Sequence, residues 1–217
     1  MIFVFLDTET TGLSLDTETS CGDEVIQIGG VITDENLKPL KIFDYLCDTT
    51  KINQHPKAFE THGITLEFLR QQVKDIYLEE ILFTKLPELF EEPDVIVVGY
   101  NVLFDINMIN QTLRDCSKKP FWGVQLTTST IPNNGRFFLD LVPFFLRNTP
   151  KGSFRQKLTS ISPKYKDDFE YLLDNTPADI YDTNYTKNTD SNFHSAVYDA
   201  LYCYVIFMKA IWKVKLH

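Results

Sequence analysis

The opening stretch Ile2-Phe3-Val4-Phe5-Leu6-Asp7-Thr8-Glu9-Thr10-Thr11-Gly12-Leu13 constrains the fold of this chain more than any other segment. Five apolar residues run unbroken into two carboxylates spaced one apart, followed by hydroxyls and a glycine. Such a run, closed by a turn signal, predicts a strand buried on both faces. Alternate residues of a strand share a side, so Asp7 and Glu9 are expected together at its end. Two anions that close repel one another unless a cation lies between them. The stretch reads as half of a divalent-metal site whose other half lies elsewhere in the chain.

Residues 14–23 are polar and turn-like, and they hold a second copy of the tetrapeptide, Asp16-Thr17-Glu18-Thr19. With no strand leading into it, this copy reads as loop. The β-branched segment 24–32 predicts a second strand, Asp34-Glu35-Asn36 a turn, and Leu40 to Cys47 a third strand. Together they predict an antiparallel meander. Asn53 to Thr65 reads as loop with a short helical turn. Ile76 to Glu92 has helical apolar spacing, with Pro87 placed to kink or split it. Val95 to Val98 predicts a central strand ended by Gly99, and a helix follows through about Cys116.

Phe121 to Leu126 and Gly135 to Phe138 predict short strands or a hairpin around Asn133-Asn134-Gly135. Leu139 to Arg147 predicts a helix interrupted by Pro143, and a last helix runs from Ser195 to about Val214. Residues 162–192 show no sustained period and read as a long acidic insertion with one helix, Asp168 to Leu173. A meander followed by alternating helix and strand predicts an α/β fold, a mixed sheet flanked by helices. No Pro/Gly/Ser-rich linker divides the 217 residues, so a single domain is expected.

A net charge of −9 argues at first against a nucleic-acid partner. The charge is concentrated: residues 167–190 carry seven acids against Lys187, leaving −3 for the rest. Carboxylates that hold metal ions would bring the remainder near neutrality, which leaves binding of short strands open. Cys21, Cys47, Cys116 and Cys203 are far apart and form no CxxC pair, which disfavours a zinc site or disulfide framework. With no basic leader and no apolar run near ~18 residues, neither secretion nor membrane insertion is expected, and a cytoplasmic location follows.

Two further places carry chemistry. In Val97-Val98-Gly99-Tyr100-Asn101-Val102-Leu103-Phe104-Asp105, the acid begins a helix whose apolar face continues through Met108, Ile109 and Thr112. Asp105 thus falls on a buried stripe, where an unpaired charge is costly. Alone, it reads as a first-turn acid favoured by the helix dipole, and Asn101 as an N-cap. In Phe193-His194-Ser195-Ala196-Val197-Tyr198-Asp199-Ala200, Ser195 is a plausible N-cap, with His194 just outside the helix and Asp199 inside its first turns. The stripe Leu201, Val205, Met208 and Trp212 marks the core face. Alone, His194 reads as a cap or surface residue.

Taken together, the chain offers Asp-x-Glu at a strand end, Asn-x-x-x-Asp after a central strand, and His-x-x-x-x-Asp opening the last helix. In these residues it resembles the DEDDh branch of the DEDD 3′–5′ exonucleases, which includes proofreading epsilon subunits and oligoribonuclease-type enzymes on a ribonuclease H-like fold. The resemblance covers FLDTETTGL at 5–13, EVIQIGGV at 24–31, HGIT at 62–65, VVGYNVLFD at 97–105 and HSAVYDA at 194–200. It also places the motif at Asp7 rather than Asp16.

The resemblance implies two Mg²⁺ or Mn²⁺ ions held by Asp7, Glu9, Asp105 and Asp199, which together stabilise the attacking and leaving oxygens of an in-line displacement. It makes His194 the general base toward the attacking water. It implies that the Thr10 backbone receives the terminal 3′-hydroxyl. Leu13 and Ile64 then wedge or pack on the last bases, His62 and Phe104 line the pocket, and Asn101 orients the site. Tyr100 departs from the family, standing where many relatives carry His. The acidic segment 162–192 departs further, with no counterpart in compact relatives.

The expected activity is metal-dependent 3′–5′ hydrolysis of single-stranded DNA or RNA to nucleoside 5′-monophosphates, of the kind that serves DNA replication and repair. The alternative is a proofreading or scaffold subunit that acts mainly through a polymerase or another protein partner.

Overall fold

The computed structural model describes residues 1–15, 22–91, 94–115, 137–141, 158, 162–185 and 195–213. The predicted meander is present: β1 (Ile2–Thr10) pairs antiparallel with β2 (Val25–Thr33), and β2 with β3 (Pro39–Leu46). Parallel strands extend the sheet on both sides. β4 (Val95–Gly99) joins β1, β5 (Phe137–Asp140) joins β4, and β6 (Tyr181–Thr183) joins β3. The order β5-β4-β1-β2-β3-β6 puts β1 inside the sheet, as its unbroken apolar run requires.

The helices among the described residues are α1 (Pro56–His62), α2 (Leu66–Gln72), α3 (Leu78–Lys85), α4 (Glu88–Glu91), α5 (Val102–Asp115), α6 (Lys166–Asn175) and α7 (Ala196–Ile206). Pro87 splits the predicted 76–92 helix between α3 and α4, because proline cannot supply the interior N–H and clashes with the preceding turn. Pro56 opens α1 and Gly63 closes it at φ 68° in the left-handed region. Thr65 caps α2, its hydroxyl accepting from Phe68 N at 3.0 Å.

The parity of β1 organises the core. Val4 and Leu6 pack into one cluster with Ile81, Leu82, Ile106 and Ile109 of α3 and α5. Phe3 and Phe5 pack on the other face with Leu201, Tyr204 and Val205 of α7. Phe5 is fully buried and meets the Tyr204 ring edge-on at 5.1 Å, a burial that contributes about 1.5–3 kcal/mol. Continued along the strand, this alternation sends Asp7 and Glu9 toward α7 and Thr8 toward α5.

Several expectations are corrected. Leu139 and Asp140 lie in β5, not in a helix: a short apolar run is ambiguous by itself, and pairing with Val98 and Gly99 makes it a strand. Leu141 follows β5, its amide donating to the Gly99 carbonyl at 2.9 Å, while residues 142–147 of that predicted helix, the 121–126 strand and the 133–135 turn lie outside the described residues, as does the Asp16 copy. In the acidic segment the expected helix Asp168 to Leu173 lies within α6, but residues 162–185 around it are more ordered than an insertion loop. A 3₁₀ turn (Ser162–Tyr165), α6 and β6 fold it onto the sheet, with Phe169 buried and stacked on Tyr202 at 4.0 Å. Its remaining residues, 186–192, lie outside the described residues.

Helix α5 begins at Val102, three residues before Asp105. A π turn at Phe207–Ile211 follows α7; Met208 stays buried, while Trp212 beyond it is 52% exposed with its ring against Phe3 and Phe207. Among the described residues no helix is long and apolar enough to cross a membrane.

Candidate active site

The first two carboxylates come from β1 itself. The strand continues through Thr10, so Asp7 and Glu9 lie within its last residues rather than beyond them. Asp7 faces Gly29 and Glu9 faces Gln27 across the β1–β2 pairing, and the register shifts between Glu9 and Thr10. Gly29 is why α7 can reach this place. A Cβ there would stand 2.1 Å from Val197 N and 2.5 Å from Ala196 C, so the first turn of α7 rests on bare backbone. One turn on, Asp199 meets the strand: Asp7, Glu9 and Asp199 bring ligand oxygens within 4.8 Å of one another.

Asp105 arrives from the other side. It is 3% exposed, and its Oδ1 accepts both the Thr8 amide at 2.9 Å and the Thr8 hydroxyl at 2.7 Å. The buried-stripe reading of the sequence thus describes it better than the helix-dipole reading. Asn101 stands just before α5 in the left-handed region, φ 68°, a conformation asparagine tolerates better than most residues. Its amide donates to Asp140 Oδ1 at 2.9 Å. Asp140 was not singled out in the sequence, since its role depends on β5 lying beside β4.

The carboxylates hold one another's protons on. Asp7 is pushed well above the usual carboxylate range by burial, then by Asp105, Asp199 and Glu9. Glu9 is raised by burial, then by Asp199 and Asp105. Burial pushes Asp105 up to about 7, with Asp199 adding to the rise and the two Thr8 bonds working against it. The Cys203 thiol is likewise raised, by burial and then by Asp7, Asp199 and Asp105. A set of hard oxygen donors that disfavour one another's charge suits a divalent cation.

The residues expected at the substrate are distributed around the exit of β1. Thr10 is buried, its hydroxyl donating to the Gly12 carbonyl at 2.5 Å. His62 is also buried. Its Nδ1 accepts the Ile64 amide at 3.0 Å, so Nε2 carries the proton and donates to the Thr10 carbonyl at 3.2 Å. Burial lowers its pKa to about 4. Gln54, which the sequence did not single out, joins this group by donating to the Ile64 carbonyl at 2.9 Å.

Ile64 packs partly buried beside Ile26, Leu46 and Leu69, and Phe104 beside the larger core cluster. Leu13 is 78% exposed, an apolar side chain that folding leaves in solvent. His194 lies outside the described residues, one position before Ser195.

The Exonuclease family model, RNase_T, matches residues 4–207. No curated protein matches the chain at a significant level. Among solved structures, the exonuclease I of Methylocaldum szegediense has a TM-score of 0.62 at 19% identity, covering 99% of this chain and 41% of its own. E. coli exonuclease I in complex with a dA16 oligonucleotide has a TM-score of 0.59 at 18% identity, covering 96% and 41%. The zinc-ion-bound form of the E. coli ExoI–ssDNA complex has a TM-score of 0.61 at 17% identity, covering 97% and 41%. The chain therefore spans about two-fifths of the length of these exonucleases. It belongs to the exonuclease family, on the ribonuclease H-like fold that its resemblance to the DEDDh-type 3′–5′ exonucleases implies.

Proposed function

We propose that this chain is a metal-dependent 3′–5′ exonuclease that removes nucleoside 5′-monophosphates from the 3′ ends of single-stranded nucleic acid. The observation that carries the reading is the convergence of Asp7 and Glu9 from β1 with Asp199 from α7, while Asp105 from α5 couples to them electrostatically. Gathering four acids, with Glu9 and Asp105 buried and Asp7 and Asp199 partly buried, is costly unless cations sit among them. These residues would hold Mg²⁺ or Mn²⁺, and the bound ions would supply charge stabilisation at the oxygens of the phosphodiester being cleaved.

The remaining roles belong to the protein. Thr8 favours the ionised form of Asp105 through its two hydrogen bonds, against the effect of burial. His62 and Gln54 fix the backbone at Thr10 and Ile64, against which the terminal nucleotide would sit. Leu13, exposed at the strand exit, is available to pack on a base. Phe104, next to Asp105 on α5, would line the pocket, and Asn101, just before α5, would orient the site. His194, one position before Ser195 in the sequence, would take the proton from the attacking water.

DNA is the first substrate to test, because the similar E. coli structures hold oligo-dA and oligo-dT. The discriminating experiment digests matched 5′-labelled single-stranded DNA, RNA and mismatched duplex with Mg²⁺ and with chelator. A 3′-shortened ladder that requires the cation supports the reading, and cleavage that survives chelation refutes it.

A further inference from the structure

Beside the carboxylate cluster, side chains from four separate parts of the chain share one hydrogen-bonded network. Gln27 of β2, 3% exposed, lies directly across from Glu9. Its Nε2 donates to Asp44 Oδ1 at 2.8 Å, and lies 3.1 Å from the Tyr185 hydroxyl and 3.4 Å from Ser195 Oγ. Its Oε1 accepts the Ala196 amide at 3.3 Å. Asp44 of β3, 4% exposed, lies across from Gly29, and its Oδ2 accepts the Tyr185 hydroxyl at 2.8 Å. The amide orientation of Gln27 is dictated by its neighbours: the carboxylate needs a donor and the Ala196 N–H needs an acceptor.

The network ties down both ends of a chain segment. Asn184 bonds the backbone of Leu46 twice, accepting from its amide at 2.9 Å and donating to its carbonyl at 2.8 Å, which anchors Tyr185 alongside β3. At the other end, Ser195 makes no side-chain cap of its own at α7. Gln27 supplies that cap from the neighbouring strand instead. The position of α7 along its axis is therefore set by a residue of β2, which is itself held by Asp44 and Tyr185. Asp199 lies one turn further along the same helix.

We propose that Gln27, Asp44 and Tyr185 form a positioning clamp that fixes the start of α7 and thereby the place of Asp199 opposite Asp7 and Glu9. The clamp gives the acidic segment a task in the site: its last described residues lock the helix that closes the carboxylate cluster. The inference rests on the proposed metal-dependent reading for its consequence, since carboxylate positions must hold within about 0.5 Å to bind a cation well.

The test compares Tyr185→Phe and Asp44→Asn with the wild-type chain by calorimetric titration with Mn²⁺ alone, thermal melting in chelator, and steady-state digestion of single-stranded DNA. Tyr185→Phe removes one hydroxyl and keeps the ring, so the chain is expected to fold. Its Mn²⁺ dissociation constant should rise about tenfold, and kcat should fall while KM for the strand stays constant. The double variant should be no worse than Asp44→Asn alone, because the residues act as one unit. Unchanged Mn²⁺ affinity in Tyr185→Phe, with or without a lower melting temperature, overturns the clamp. A wild-type chain that binds Mn²⁺ but shortens no strand would sink the exonuclease reading, while the affinity comparison would still judge the clamp.

Discussion

Thr8 holds Asp105 twice: its amide and its hydroxyl both donate to the same carboxylate oxygen, at 2.9 and 2.7 Å. The pair joins β1 to α5 and places a donor between two acids of the same strand. Both bonds favour the ionised form of Asp105. Thr8→Val removes one of them and leaves the shape nearly intact. The half-saturating Mg²⁺ concentration for digestion at pH 7 should rise roughly 3- to 10-fold, at a stability cost of about 1 kcal/mol. An unchanged Mg²⁺ requirement would remove Thr8 from the site.

Neutralising one member of the cluster should separate stability from activity. Asp7→Asn removes a buried carboxyl that Asp105, Asp199 and Glu9 all repel. In chelator its melting temperature should lie above that of the wild type, while its turnover should fall by about 10³-fold or more. Differential scanning calorimetry in EDTA checks the first part and end-labelled digestion the second. A lower melting temperature in EDTA would mean that the acids are not in mutual repulsion.

The pH dependence has a defined sign. Asp105 titrates at about 7 in the folded chain, above its ordinary 3.8, and Asp7 and Glu9 are also raised. The folded state therefore binds more protons than the unfolded state between those limits, and these groups make the metal-free protein more stable as pH falls from 7 toward 4. His62 acts oppositely: its folded pKa of about 4 lies below 6.5, so its contribution is lost over the same descent. The comparison that isolates the acids is wild type against Asp105→Asn in chelator, where the wild type should gain relative stability on acidification. Cations compete with those protons, so the Mg²⁺-induced rise in melting temperature should be larger at pH 8 than at pH 5.5. An increment independent of pH would contradict the assignment.

Gly29 should not accept even a methyl group. Its Cβ would meet backbone atoms of Ala196 and Val197, which cannot rotate away as a side chain can. Gly29→Ala should lower stability by about 1–3 kcal/mol in denaturant titration and weaken Mn²⁺ binding by lifting Asp199. A variant that matched the wild type in both would show that α7 has slack.

Much of this was legible in the sequence, for physical reasons that differ between elements. The apolar run before Asp7 made β1 central, and period two placed both acids on one face, as the structure has them. The stripe through Met108 and Ile109 correctly placed Asp105 on a buried face. What stayed hidden depends on distant partners. Strand β5 exists because β4 lies beside it, and β6 because β3 does; neither run is long enough to declare itself. Gln27 looked like any polar residue of a strand, and only the approach of α7 over Gly29 turns it into a cap. The glycine pair at 29–30 was the available signal, since adjacent glycines within a strand mark a close approach.

The most direct measurement follows a 5′-labelled single strand over time with the wild-type chain in Mg²⁺, in Mg²⁺ plus excess chelator, and with Asp199→Ala in Mg²⁺. The account predicts stepwise shortening from the 3′ end with release of nucleoside 5′-monophosphates in the first reaction and an intact strand in the other two. Shortening that persists without the cation or without Asp199, or products released from the 5′ end, would contradict it.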